Sequence, residues 1–171
     1  MSSIAVYAGS FDPITRGHLS VIDQASLAFD QVVVAVGVNP SKKHFFSQDA
    51  RQTLIREATQ NYDQIRVVSF QGLLASYCTT LKTNTKKVVI VRGLRAISDF
   101  ESEMAISYVN QKLAADVPTV FFPTAPDLSY VSSSAARELA RHPLDEGALK
   151  ALEGLVPACV ARAMIEKNNE L

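Results

Sequence analysis

Apolar residues gather along the chain in five short runs, at 4–7, 32–38, 65–70, 88–91 and 119–122, each rich in β-branched side chains and without polar alternation. A strand open to water on one face alternates apolar and polar positions, whereas a strand covered on both faces does not, so these runs predict buried parallel strands. Between them the period changes to three and four. Ile22, Ala25, Ser26 and Phe29 recur at that spacing within 17–29, and Ile106, Val109 and Leu113 form one stripe within 99–115. Segments 48–59 and 73–81 read as helices as well. Strand and helix alternate, so the expected class is α/β, a five-stranded parallel sheet with helices on both faces. After the fifth run, Ser132, Ser133 and Ser134 offer hydroxyls to cap a helix over 135–140, which Pro143 closes. A helical tail follows, with Pro157 suited to a first-turn position ahead of Val160, Ala163 and Met164. Its apolar stripe fits assembly and packing on its own domain equally well.

Composition narrows this picture. Of 171 residues, 47% are hydrophobic and 20% charged, the make-up of a compact domain rather than a disordered chain. A folded chain of this size buries roughly 70% of the surface its unfolded form exposes, enough for a core without disulfide or metal staples. No repeat, low-complexity tract or Gly/Ser linker divides it, so residues 1–171 are expected to form a single domain. Lys plus Arg and Asp plus Glu both number 17. No summed charge therefore draws the chain to nucleic acid or to a membrane surface, and anion binding has to come from local clusters. Cys78 and Cys159 stand far apart with no C-x-x-C or Cys/His spacing, which predicts neither a disulfide framework nor a zinc site, and points to a reducing compartment. The start, Met1-Ser2-Ser3-Ile4, lacks a basic region before an apolar stretch, and run 32–38 falls far short of the ~20 residues of a membrane span. A cytoplasmic location is expected.

Three segments carry candidate chemistry. In the first, the strand ending Tyr7-Ala8-Gly9 runs into Ser10-Phe11-Asp12-Pro13-Ile14-Thr15-Arg16-Gly17-His18. A Gly at the carboxyl end of a first strand lets backbone approach a ligand, and a helix starting near Gly17 aims N–H groups at a phosphate. His18 in the first turn is placed to donate to an oxygen gaining charge, although a helix-surface His behind a cap-rich loop reads equally well. The second segment is Arg92-Gly93-Leu94-Arg95 at the end of a fully apolar strand. Two fork-shaped cations there suit polyphosphate, the alternative being surface pairs with Asp99, Glu101 or Glu103. The third is Pro40-Ser41-Lys42-Lys43 after the second strand, which by itself reads as a solvated loop. All three fall at strand carboxyl ends, where open α/β sheets bind ligands. The Ser132 to Ser134 run is either a cap or an anion cradle. His44 and His142 have no sequence partners and read as structural or exposed, and Cys78 lies in an apolar helical pattern and reads as core. The chain lacks G-x-x-x-x-G-K-[ST], G-x-G-x-x-G and G-x-S-x-G, which leaves direct transfer at phosphorus by positioning and charge stabilisation.

Gly9-Ser10-Phe11-Asp12-Pro13 with Thr15-Arg16-Gly17-His18 resembles the nucleotidylyltransferase signature G-[TS]-F-D-P-x-[TH]-x-G-H. Ser41-Lys42-Lys43 with Pro40, Arg92 to Ala96, Asp99 to Met104 and Tyr130 to Ser134 resemble the bacterial phosphopantetheine adenylyltransferases in order and interval, over roughly residues 4 to 165. The resemblance implies a Rossmann-like fold, usually a homohexamer, joining ATP and 4′-phosphopantetheine in coenzyme A synthesis, with coenzyme A as feedback ligand. It implies His18 as transition-state stabiliser aided by Lys42 and Arg95. It places Ser10, Phe11, His18, Gly93, Leu94, Arg95, Glu103, Leu128, Ser129, Tyr130, Val131, Ser132, Ser133 and Ser134 around ATP. Ser10, Lys42, Leu74 and Arg92 would hold 4′-phosphopantetheine, and Mg²⁺ would bridge ATP phosphates without a protein cage. The chain departs from the pattern at Ala8, Ser10, Gly72 and Leu128, where Pro, Thr, an acidic and an aromatic residue respectively occur. A CTP-using relative, a nicotinate-nucleotide adenylyltransferase and a non-catalytic nucleotide-binding regulator stand as alternatives. The R-T-x-G-[IV]-S-T run typical of the first is missing here, where Val131-Ser132-Ser133-Ser134 stands instead.

Overall fold

The five apolar runs become the five strands of one parallel sheet. In the computed structural model, which describes residues 2–38, 41–83, 86–142 and 145–169, the elements alternate in order. They are β1 (Ser2–Gly9), α1 (Arg16–Ala28), β2 (Gln31–Val38), α2 (Gln48–Ala58), β3 (Ile65–Gln71), α3 (Leu74–Leu81), β4 (Lys86–Leu94), α4 (Ile97–Leu113) and β5 (Thr119–Pro123). A short 3-10 turn (Pro126–Leu128) leads to α5 (Ser133–Ala140), α6 (Glu146–Leu155) and α7 (Ala158–Asn169). Pro40 and Pro143, the latter expected to close α5, lie outside the described residues.

The strand order is β3-β2-β1-β4-β5, parallel throughout. The chain lays β2 and β3 to one side of β1 and then crosses over to lay β4 and β5 on the other. The turns leaving β1 and β4 therefore diverge to opposite faces, and a crevice opens between them at the strands' carboxyl ends. Neighbouring side chains point to opposite faces, which splits each apolar run between two cores. Ala5, Tyr7, Val32, Val34, Val36 and Val91 face α1, α2 and the C-terminal helices. Ile4, Val6, Ala8, Val33, Ala35, Val88 and Ile90 face Ala75 and Cys78 of α3 and Ala114 beyond α4. Burial pushes the Cys78 thiol up to about 12, so it is a core residue and inert as a nucleophile.

Two helical segments take an environment that periodicity alone left open or pointed elsewhere. The C-terminal tail packs on its own domain, with Leu152, Leu155, Val156, Val160, Ala161 and Met164 buried in the first core. In α4 the apolar stripe faces outward: Ile106, Val109 and Leu113 are 45%, 59% and 51% exposed, while Ser107 and Asn110 are buried. Spacing reveals that a stripe exists but not what covers it, and here the small and polar positions of α4 meet β4 and α3 instead. No helix among the described residues is long and apolar enough to cross a membrane.

Candidate active site

The turn after β1 is held from four directions. Gly9 lies under the Phe11 ring, where a Cβ would come within 3.2 Å of it. Phe11 has φ of +45°, a left-handed backbone unusual for a side-chain-bearing residue, and it persists because its neighbours are tied. The buried Arg51 of α2 donates to the Ser10 carbonyl at 2.6 Å. Arg137 of α5 donates to the Asp12 carbonyl at 2.5 Å, and the Ser133 hydroxyl to the Pro13 carbonyl at 2.8 Å. The buried Asp12 carboxylate accepts the backbone N–H groups of Phe45 and Phe46 at 2.7 and 2.9 Å, with His44 Nδ1 at 3.4 Å. Asp12 thus fastens the loop that carries Lys42 to the turn after β1. Of the two histidines that read from sequence as structural or exposed, His44 packs beside Asp12 and His142 is an exposed partner of Glu138.

Thr15 caps α1, accepting the His18 backbone N–H on its hydroxyl at 3.3 Å. His18 reaches back to the cap through Nδ1, and its ring stands edge-on to Phe11 at 5.1 Å. Burial, aided by the charge of Arg95, lowers the pKa of His18 to about 4, so the imidazole is neutral near pH 7.

The facing wall comes from β4 and α4. Arg92 is gripped by Glu103, with Nη2 to Oε1 at 2.8 Å and a second close contact from Nε to Oε2, and its Nη1 donates to the Ala8 carbonyl at 3.2 Å. Arg95 meets Asp99 through Nε and Nη2, both at 3.1 Å, and through its backbone N–H at 3.0 Å. The Arg95 bonds hold the Asp99 carboxyl below the usual carboxylate range. The arginine–carboxylate pairing weighed from sequence is therefore real, with Asp99 and Glu103 as partners, and both pairs line the crevice. Gly93 between them is required by close approach, since a Cβ there would lie 2.8 Å from Val21 Cγ2. Burial raises the pKa of Tyr7 and keeps its phenol protonated beneath them.

The third wall is the start of α5, where Ser132 caps the helix by accepting the Ala135 N–H at 3.1 Å. Together these elements enclose a cavity of about 320 Å³. Of the residues singled out from sequence, it brings together Phe11, His18, Arg92, Gly93, Arg95, Glu103, Val131, Ser132, Ser133 and Ser134. Ser10 and Lys42 are exposed and lie off its wall, Leu74 packs into the second core, Leu128 packs against the first, and Leu94, Ser129 and Tyr130 also stand outside the lining. Tyr7, Ala8, Gly9, Thr15 and Gly17, which belong to the first candidate segment without an assigned ligand contact, also line the cavity, as does Asp99, weighed from sequence only as an arginine partner; Thr124 was missed. Asp99 was detectable by its i,i+4 spacing from Arg95 and Tyr7 by its place two residues before Gly9, whereas Thr124 has no local signal beyond following the fifth strand. Gly72 has φ of +82°, which explains why glycine is well suited there.

A second cavity of about 480 Å³ opens at the amino end of β4, where Lys82, Lys86 and Lys87 lie beside Asp116. It is the larger of the two, but its lining holds no imidazole and no glycine, so the crevice at the carboxyl ends is the candidate site. No group of three or more His, Cys, Asp or Glu side chains able to hold a metal ion occurs among the described residues. The crevice offers guanidinium and N–H donors, one neutral imidazole and no activated nucleophile. Such a set is chemically able to bind phosphates and to stabilise charge growing on phosphorus.

Residues 6–139 match the model of the cytidylyltransferase-like family. The chain is similar to the phosphopantetheine adenylyltransferase of Carboxydothermus hydrogenoformans, at 45% identity over 164 residues, 96% of this chain and 95% of the relative. It is similar also to that of Clostridium novyi, at 42% identity over 164 residues, 96% of each chain. Among solved structures it resembles a putative nicotinate-nucleotide adenylyltransferase from Vibrio parahaemolyticus, with a TM-score of 0.73, 15% identity and coverage of 96% of this chain and 99% of that one. It resembles also the Plasmodium falciparum nicotinic acid mononucleotide adenylyltransferase complexed with NaAD, with a TM-score of 0.67, 17% identity and coverage of 99% and 96%. At such low identity these two structures speak for the fold alone.

Proposed function

We infer from its membership of the cytidylyltransferase-like family, and within it of the phosphopantetheine adenylyltransferases, that this chain transfers the adenylyl group of ATP to 4′-phosphopantetheine, releasing pyrophosphate and forming dephospho-coenzyme A for coenzyme A biosynthesis. The observation that carries the reading from family to chemistry is the convergence of His18, Arg92, Arg95 and the start of α5 on one cavity at the carboxyl ends of β1 and β4. The nicotinate reading has only low-identity structural likeness behind it.

A phosphate oxygen of 4′-phosphopantetheine attacks the α-phosphorus of ATP in line. The bond from that phosphorus to the bridging oxygen breaks, and pyrophosphate leaves with the electron pair. The attacking monoester already carries its second negative charge near neutral pH, its second pKa being about 6, so it needs no general base. No covalent enzyme intermediate forms. His18 donates a hydrogen bond to the α-phosphate as charge accumulates there, and Arg95, Lys42 and the α5 N–H groups share that charge. Arg92, Lys42, Ser10 and Leu74 hold 4′-phosphopantetheine. Ser10, Phe11, Gly93, Leu94, Arg95, Glu103 and the stretch Leu128, Ser129, Tyr130, Val131, Ser132, Ser133 and Ser134 hold ATP. The two cavity carboxylates are bonded to arginines, which fits Mg²⁺ arriving on the ATP phosphates rather than in a protein cage. When bound, Mg²⁺ supplies neutralisation of phosphate charge.

The outward stripe of α4 supports a homo-oligomer, because a surface row of Ile106, Val109 and Leu113 loses water when copies of the chain meet. Six is the count the family resemblance implies, as it implies feedback by coenzyme A and work in the cytoplasm. Sedimentation of the wild type should give the mass of a hexamer, and Val109→Lys should shift it to smaller species. An assembly unmoved by that change would remove α4 from the interface.

The reaction is tested by pyrophosphate release with Mg²⁺, ATP and 4′-phosphopantetheine, beside CTP with glycerol 3-phosphate and ATP with nicotinate mononucleotide. Release in the first mixture alone, with dephospho-coenzyme A as product, is expected. Release in either other mixture and not the first would replace this reading, and ATP binding without turnover in any would favour a regulator.

A further inference from the structure

A neutral imidazole carries one N–H, and only one edge of the His18 ring can serve a phosphate in the cavity. The other edge meets Thr15. The Thr15 backbone N–H donates to Nδ1 at 3.0 Å, and the Thr15 hydroxyl lies 2.9 Å from the same atom. A backbone N–H can act only as a donor, so Nδ1 must accept and the ring's hydrogen sits on Nε2. Nε2 has no protein partner among the described residues, and His18 lines the cavity. We propose that Thr15 is a positioning residue of this site, selecting the Nε2–H form of His18 and fixing its ring so that the N–H meets the reacting phosphate. This rests on the adenylyl-transfer reading above.

A simple helix cap explains less than is seen. Capping needs only the bond from the His18 backbone N–H to the Thr15 hydroxyl, and that bond is the longest of the set at 3.3 Å. The N3 position of a capping box commonly holds Glu or Gln. Here N3 is an imidazole, so satisfying the cap with one nitrogen leaves the other for chemistry. Thr15 is 2% exposed and extended at φ −123°, which keeps water from competing for Nδ1. Phe11 at 5.1 Å and Tyr7 at 6.2 Å flank the ring and oppose its rotation. The charged groups nearby act in the same direction. Arg95 disfavours a second proton on the ring, and Asp99 and Glu103 are already engaged by Arg95 and Arg92. An imidazolium would bring Nδ1–H against the Thr15 N–H, so the cap excludes the charged form as well as the wrong tautomer.

The test reads the tautomer and the kinetics separately. Long-range proton–nitrogen spectra of protein labelled at histidine nitrogens, with His18→Gln to assign the signal, should show His18 as Nε2–H at pH 7 and unchanged down to about pH 5.5. Thr15→Val, which keeps the backbone N–H and with it the Nε2–H form but removes the hydroxyl beside Nδ1, should shift or broaden the His18 nitrogen signals as the ring loses one of its two anchors, and lower kcat ~10-fold with KM for ATP changed much less. Thr15→Ser should restore both. A wild-type spectrum showing Nδ1–H or imidazolium at pH 7 overturns the proposal, whether or not the variants fold. So does a Thr15→Val protein whose kcat is unchanged or falls only with its folded fraction. Wild-type protein inactive on 4′-phosphopantetheine would strike the reaction instead, and the spectrum would then decide Thr15 by itself.

Discussion

His18→Ala is expected to lower kcat by ~100-fold or more while ATP binding falls far less. The neutral ring contributes most where charge builds on the α-phosphate, so its loss is felt in the transition state more than in the ground state. Alanine also empties the acceptor that meets the Thr15 N–H, so a melting curve should accompany the kinetics. An unchanged turnover would remove His18 from the chemistry. The wild-type pH profile gives a second check. With its pKa lowered from 6.5 to about 4, the ring stays a neutral donor across the neutral range. Any inflection near pH 6 should therefore follow the substrate phosphate, whose second pKa is about 6, and disappear with a substrate that does not titrate there. The same shift has a consequence for stability. Between those two pKa values the unfolded chain binds a proton that the folded chain refuses, so this contribution is present at neutral pH and fades as pH falls toward 4.

Arg92→Ala is expected to raise KM for 4′-phosphopantetheine ~10- to 100-fold with a smaller change for ATP, because charge-assisted hydrogen bonds are worth about 1.5–3 kcal/mol. Two effects add. The phosphate loses a forked donor, and Glu103 loses the guanidinium that neutralises it inside the cavity. Steady-state kinetics on Arg92→Ala with Glu103→Gln should recover the second part and not the first. Arg92→Lys should fall between, keeping charge without the fork. Equal weakening of both substrates would return Arg92 to a structural role.

The sheet was legible because its strands are buried on both faces, and a run such as 32–38 has no other simple reading once helical patterns flank it. The candidate site's turn was legible for a similar reason. Glycine at the end of a strand and histidine in the first turn of a helix are local features, and the ligand-binding edge of a parallel sheet follows from connectivity. The pairing of Arg95 with Asp99 was within reach of spacing, and that of Arg92 with Glu103 was one of the options that spacing left open.

Other features required the fold itself. The α4 stripe was visible in sequence, yet only the packed structure showed Ser107 and Asn110 facing inward and Val109 facing water. The C-terminal stripe looked the same in sequence and turned inward. Periodicity measures the arrangement of side chains around one helix axis, and it has no knowledge of which neighbour arrives. The chain by itself determined the strands, the helices and the residue types that can handle phosphate. The tertiary structure decided that Arg51, Arg137 and Ser133 would hold the carbonyls of the first turn, and that Asp12 would fasten the Lys42 loop to it. The contacts that tie α2, α5 and the Lys42 loop to this turn join residues 33 to 125 positions apart, and such distances leave no mark in local composition or spacing.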